Sequence, residues 1–290
     1  MFDLVLQQLA NGISTGMIYA LIALGLTVVF GVMHVINFAH GELYMVGALC
    51  SVMLTSRLGI PYILTVPIAA IAGALIAIVT DRIAISPVLP RKDGHALVLI
   101  TTFAASMLIN ETVVASAGPG PIPSPGIGGW VLSLGPVALS AQRLLVIGVG
   151  LLLVIFLQLM LMRTKFGRSL RAVAQSAWAA EVVGVDVRKI AFLTLALSGL
   201  LAGLAGALVV PIVTFSAAMG SHAIINAFVI VVIGSMGSFV GAVVCGVALG
   251  VAESIASIAM SSDASSAIIY SLLLVALLLR PQGLFARSAR

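Results

Sequence analysis

The sequence predicts an all-α fold, a polytopic transmembrane helical bundle of about eight to nine spans. Three observations carry this. Hydrophobic residues make up 61% of the 290-residue chain and charged residues only 8%, where a soluble domain carries about 25%. Mean hydropathy is +1.26. The apolar residues fall in successive runs of the ~20 residues a spanning helix needs, with Lys and Arg confined to a few gaps. Leu and Ala are the commonest residues and no alternating strand pattern appears, so the spans are helices and not the strands of a barrel.

Spans are expected at 5–31, 35–56, 61–80, 96–116, 142–162, 190–213, 222–236, 239–259 and 266–280. No Lys or Arg precedes the first, so it lacks the basic start of a cleaved signal and reads as a retained helix. Gly118-Pro-Gly-Pro-Ile-Pro-Ser-Pro-Gly126 cannot form regular helix. It is expected outside, with Trp130 at the interface. Ser169 to Val183 reads as a short amphipathic helix, with Leu170, Val173, Ala174, Ala177 and Ala180 at three- and four-residue spacing. It is too polar to span and is expected to lie across the cytoplasmic side. The stretch from His222 to Glu253 is interrupted by Gly234-Ser-Met-Gly237-Ser238. It reads either as two spans or as a broken or re-entrant helix near 222–240 followed by one span.

Basic residues set the orientation. Arg82, Arg91 and Lys92 lie in one gap, six Lys and Arg lie in 163–189, and Arg280, Arg287 and Arg290 lie in the tail. The positive-inside rule puts all three in the cytoplasm. An odd number of spans then places the N-terminus outside, and an even number inside. The net charge of +5 therefore reports orientation and not nucleic-acid binding. Cys50 and Cys245 sit in apolar runs and are expected as free, packed thiols. The glycine pairs Gly12/Gly16, Gly199/Gly203, Gly237/Gly241 and Gly246/Gly250 recur one turn apart and read as close helix packing in the bundle, in preference to a dedicated dimer face.

The most informative stretch is Val35-Ile-Asn-Phe-Ala-His-Gly-Glu-Leu-Tyr-Met45, which puts Asn37, His40 and Glu42 in apolar sequence beside Gly41. Ionisable groups are costly in a bilayer and usually face an interior or a wet path. Either this segment, broken at Gly41, lines or gates a translocation pathway, or it caps the second helix at the cytoplasmic interface. A metal site is not indicated: His-Gly-Glu is not His-Glu-x-x-His, and His34, His95 and His222 are scattered. Gly12-Ile-Ser-Thr-Gly16 matches G-x-S-x-G only formally, because a nucleophile elbow needs a strand-to-helix turn. Glu111 and Glu253 are too few and unpaired for a convincing proton relay. No G-x-x-x-x-G-K-[ST] phosphate loop occurs, so the chain is not expected to be an enzyme, and any ATP-driven motor belongs to another chain. The loop at 163–189, with Arg171, Glu181, Asp186, Arg188 and a turn at Gly184, is either where such a chain docks or a loop that only fixes topology.

Several motifs in order resemble the LivH-type permease subunit of branched-chain amino acid ABC importers. They are Gly16-Met-Ile-Tyr-Ala-Leu-Ile-Ala-Leu-Gly-Leu-Thr27, Phe30-Gly31, Ile36-Asn-Phe-Ala-His-Gly-Glu42, Phe166-Gly-Arg168, Ala179-Ala-Glu-Val-Val-Gly-Val-Asp186, Gly234-Ser-Met-Gly-Ser238 and Arg280-Pro-Gln-Gly-Leu-Phe285. The resemblance spans nearly the whole chain. It implies one permease domain over 1–290 in the bacterial inner membrane. It also implies a homologous second permease subunit, two cytoplasmic ATPase subunits that bind the ATP and Mg, and a periplasmic amino-acid-binding protein. The 163–189 loop is then the coupling segment, with Glu181, Gly184 and Asp186 its most recognisable part. Related permeases share Ala-His-Gly-Glu, so urea, short amides or other amino acids remain alternative cargoes. An ion-coupled carrier and an intramembrane hydrolase using Ser14 and His40 are the readings from other classes.

Overall fold

The structure is a computed structural model that describes residues 2–259, 267, 271 and 283–285. The span expected at 266–280 and the three tail arginines lie almost entirely outside these. Helices run as α1 (Phe2–Met33), α2 (His40–Leu58), α3 (Tyr62–Thr80, prolonged by a wider turn over Asp81–Ile85), α4 (Gly94–Ala117), α5 (Ala141–Arg163), α6 (Lys165–Gln175), α7 (Ala177–Val182), α8 (Val187–Val209), α9 (Met219–Ile233) and α10 (Phe239–Ala256). Where the sequence offers a short hydroxyl or carboxylate, it starts a helix. Ser140, Thr164, Ser176, Asp186 and Ser238 each accept a hydrogen bond from the backbone N–H three residues on, which satisfies a donor the helix leaves open.

Among the described residues six helices are long and apolar enough to cross a membrane: α1, α3 with its extension, α4, α5, α8 and α10. Two runs are not among these six: α2, which covers most of 35–56, and α9, the short broken helix that the sequence offered as one reading near 222–240. α2 carries His40, Glu42 and Arg57 in its 19 residues. The 15 residues of α9 rise only ~22 Å at 1.5 Å per residue, against ~30 Å of hydrocarbon.

Two ends of the bundle are distinct. At the C-terminal end of α1, Val28 and Val32 pack on Leu170, Val173, Ala180 and Ile190, and Val29 packs on Ile85, Val88 and Val98. Both basic loops therefore gather at one end, as the positive-inside rule requires. The first turns of α1 lie at the other end, where the Gln7 amide donates to the Ala138 carbonyl at 2.9 Å and accepts from its N–H at 2.7 Å. With the basic end inside, the N-terminus is outside.

The helical core contains a repeat that runs twice in opposite directions. α1 descends from the outer end, the chain turns through 34–39, and α2 climbs back out. α8 rises from the inner end, the chain turns through 210–218, and α9 descends. Each long first helix packs against the third helix of the other unit through glycine. A Cβ on Gly16 would lie 2.7 Å from the Val247 Cα of α10, and one on Gly203 would lie 3.0 Å from the Gly73 Cα of α3. Such small-residue contacts bring backbones together in lipid. Gly12, Gly246, Gly250 and Gly199 sit in the same two seams. Gly237 and Gly241 do not form such a pair. Gly237 lies in the α9–α10 turn at φ +88, and Gly241 packs on Gly234.

Two sequence expectations need correction. The first break falls at 34–39 and not at Gly41, which sits within the opening turn of α2; the glycine serves close approach, not a kink. The helix expected from Ser169 to Val183 is two helices, because Ser176 leaves α6 in an extended conformation (φ −162) and caps α7. The outer loop continues into a short hairpin, Val131–Leu134 with Val137–Ser140, turning at Gly135, a stretch to which the sequence assigned no element.

Candidate translocation site and coupling segment

α2 and α9 both begin inside the bundle, and their opening turns meet. The turn before α2 is set by Asn37, whose Oδ1 accepts from the Ala39 N–H at 3.0 Å. Thr102 of α4 accepts from the Phe38 N–H at 3.2 Å. His40, fully buried, has Nε2 3.0 Å from the Ile22 carbonyl of α1 and Nδ1 3.1 Å from Ser198 Oγ at the middle of α8. It pins both long helices of the repeat to the start of a half-helix. Gly41 admits the Gly220 carbonyl of α9 and the Ile224 side chain.

Glu42 completes the junction. Its Oε1 accepts from Ser106 Oγ at 3.2 Å, while Oε2, buried, takes no hydrogen bond among the described residues. Leaving a buried polar atom unpaired costs ~1–3 kcal/mol. The carboxylate lies in the first turn of α2 and beside Gly220 in the first turn of α9. Two helix N-termini, each carrying about half a positive charge, therefore offset that cost. Asn110 of α4 fastens the approach to α9 by donating to the Ala217 carbonyl at 2.8 Å.

The structure thus brings Asn37, His40, Gly41 and Glu42 together, but as a buried fastening in mid-bundle. None of them borders either of two cavities in the chain. An outer cavity of about 390 Å³ lies between α1, the 209–218 turn and the start of α9. An inner one of about 550 Å³ is bordered by α1, α5, Arg171 of α6 and the Ser235–Val240 stretch.

The segment 163–189 forms a bent pair of helices on the inner end. Its buried face is Leu170, Val173 and Ala180. Arg171 turns back to donate to the Leu161 carbonyl of α5. Asp186 caps α8 through the Lys189 N–H at 3.0 Å. Gly184 takes φ +84, a region glycine occupies without strain, so the chain can reverse into α8. Glu181 and Arg188 are exposed. The sequence reading missed the tip: Trp178 is 75% exposed, beside exposed Val182 and Val183. The available signal was Trp178 and Val182 at four-residue spacing, on the side away from Ala177 and Ala180. Of the residues considered for other chemistry, Ser14 is buried in α1, more than two turns from the Ile22–Gly25 stretch that meets His40. Among the described residues no group of three His, Cys, Asp or Glu is placed to hold a metal. Cys50 and Cys245 are free thiols.

Oppositely directed repeats, with half-helices that start at mid-bundle and a polar hairpin on the basic face, define a multi-pass membrane transport protein. Residues 8–278 match the family described as branched-chain amino acid transport system / permease component. The chain belongs to that family and is a multi-pass protein of the inner membrane. It is 32% identical over 294 residues to the high-affinity branched-chain amino acid transport system permease protein BraD of Pseudomonas aeruginosa, covering 97% of this chain and 96% of BraD. It is 30% identical over 302 residues to LivH of Escherichia coli, with the same coverage of each chain. LivM of Escherichia coli, another permease protein of that system, is 26% identical over 294 residues, covering 92% of this chain and 68% of LivM. No solved structure matches the chain.

Proposed function

We propose that this chain is one half of the passage of an ATP-driven, binding-protein-dependent importer for leucine, isoleucine and valine. A homologous permease subunit forms the other half, two cytoplasmic ATPase subunits bind ATP and Mg and drive it, and a periplasmic protein delivers the amino acid. The observation that carries this reading is the exposed apolar tip Trp178, Val182 and Val183 on the basic end of the bundle. A large aromatic and two valines facing water at the cytoplasmic side form a surface that a partner covers. Arg171, Glu181, Gly184, Asp186 and Arg188 then shape and orient that docking hairpin.

In this reading ATP draws the ATPase subunits together, the α6–α7 hairpin moves with them, and the bundle shifts as packed bodies from inward- to outward-facing. Because α6 rests on Val28 and Val32, α1 follows directly. Asn37, His40, Gly41 and Glu42 belong to the wall of the passage: they hold the half-helices together while the exposed side of α9 borders the path. The loaded binding protein releases its amino acid outside, and hydrolysis resets the bundle. Purification with native partners, followed by leucine uptake into ATP-loaded proteoliposomes, tests the reading. Uptake should require the ATPase subunits and the binding protein. Trp178→Ala, or Gly184→Trp with Asp186→Arg, should abolish stimulation of ATP hydrolysis by loaded binding protein. Transport without an ATPase partner, or of urea or amides in place of leucine, would overturn it.

A further inference from the structure

The outer cavity divides into an aliphatic and a polar part. Ile18 and Ile22 of α1 with Val209 and Ile212 form the aliphatic part. Tyr19, His222 and Asn226 form the polar part. The Tyr19 hydroxyl donates to Glu253 Oε2 of α10 at 2.8 Å and also faces the Asn226 amide. Glu253 is half-buried in a span that packs on α1 through glycine contacts and the Ser254–Gln8 hydrogen bond. Close packing of α1 on α10 does not need this carboxylate. An ionisable group kept inside a membrane without a packing role marks a functional site. A carboxylate can accept about four hydrogen bonds, so the one from Tyr19 orients it and leaves acceptor capacity for another donor.

We propose that this cavity is a cargo station within the permease, taking an aliphatic α-amino acid as its zwitterion. The ammonium group binds at Tyr19, which borders the cavity, with the Glu253 carboxylate behind that hydroxyl as its counter-charge. His222 and Asn226 offer N–H donors to the carboxylate. The branched side chain lies against Ile18, Ile22, Val209 and Ile212. A volume of about 390 Å³ falls in the ~300–1,000 Å³ range of small-molecule sites. An aliphatic wall separates cargoes by about 10–200-fold per methylene, so the station adds a second, coarse filter behind the binding protein. The inference rests on the transport reading above.

The test uses the complete importer in proteoliposomes. Glu253→Gln and Tyr19→Phe should each lower leucine uptake at least tenfold. Both should still co-purify with the ATPase subunits and keep ATP hydrolysis stimulated by loaded binding protein within twofold of wild type. A second measurement needs no variant. Photo-leucine irradiated in the wild-type complex should attach within 15–22 or 209–226, and excess leucine should suppress the adducts. If the variants fail to assemble, the cross-link decides. Leucine import with both variants at wild-type rate, or with leucine-sensitive adducts absent from those segments, overturns the cavity assignment and leaves the transport reading intact. A wild-type complex that imports no branched-chain amino acid overturns both.

Discussion

Gly41 and Gly220 meet backbone to backbone: a Cβ on Gly41 would run into the Gly220 carbonyl, and one on Gly220 would sit 2.6 Å from Glu42 Oε2. The contact joins two half-helices that enter from opposite sides, and it brings the first turn of α9 beside Glu42. Its geometry, with that of the seams around it, fixes the outcome of several substitutions.

Alanine at Gly41 or Gly220 should destabilise the protein, because overpacking a tight contact costs ~1–3 kcal/mol. Gly148 in α5 has nothing within 4 Å of where a Cβ would stand. Gly148→Ala should be neutral, or stabilise the helix by up to ~1 kcal/mol. Thermal unfolding of the three variants in detergent checks this; equal loss at Gly148 would contradict it.

The α1–α10 seam should be intolerant as well. A methyl on Gly16 would lie 2.7 Å from the Val247 Cα and 2.9 Å from the Gly246 carbonyl, both backbone atoms that cannot rotate away. Gly16→Val should lose folded protein in fluorescence-detected size exclusion. Gly120→Val, in the outer loop with open space around it, should not.

His40→Ala should remove the tie between α1, α2 and α8 and leave the Ser198 hydroxyl without its partner, at ~1–3 kcal/mol for the orphaned group plus a cavity term. His40→Gln, which can both donate and accept, should recover part of the loss. Equal melting temperatures for the alanine variant and wild type would show that the two hydrogen bonds contribute nothing.

Asp186 separates two roles. Asp186→Ala removes the cap on α8 and should cost ~0.5–2 kcal/mol; Asp186→Asn keeps an accepting oxygen and should cost little. If only the alanine variant lowers ATPase stimulation in the assembled importer, shape matters at this position. If the asparagine variant lowers it equally, charge does.

The bundle was legible in the sequence wherever hydropathy alone decides. α3, α4, α5 and α10 lie close to their expected places because lipid selects for length and apolarity and little else. The re-entrant turns were hidden for the same reason. Residues 210–213 are as apolar as the helix before them, so hydropathy carried that span to 213, into the turn, although Pro211 marked its start. At 34–39 the polar cluster was visible, but its partners Ile22, Ser198 and Ser106 come from three other helices. Only folding shows that the cluster is a fastening. Tyr19 and Glu253 were individually readable, yet they are 234 positions apart, and nothing in local pattern pairs them. The Ser176 break was missed because three- and four-residue spacing continues through it, whereas the cap is a single side chain's hydrogen bond.

The junction also constrains how the chain is made. Ribosomal synthesis delivers Asn37, His40 and Glu42 to the membrane long before α8 and α9 emerge. Until then His40 lacks Ser198 and Gly41 lacks Gly220. The nascent first half must keep this polar knot wet or chaperoned, and a chain truncated before α8 is a natural substrate for membrane quality control.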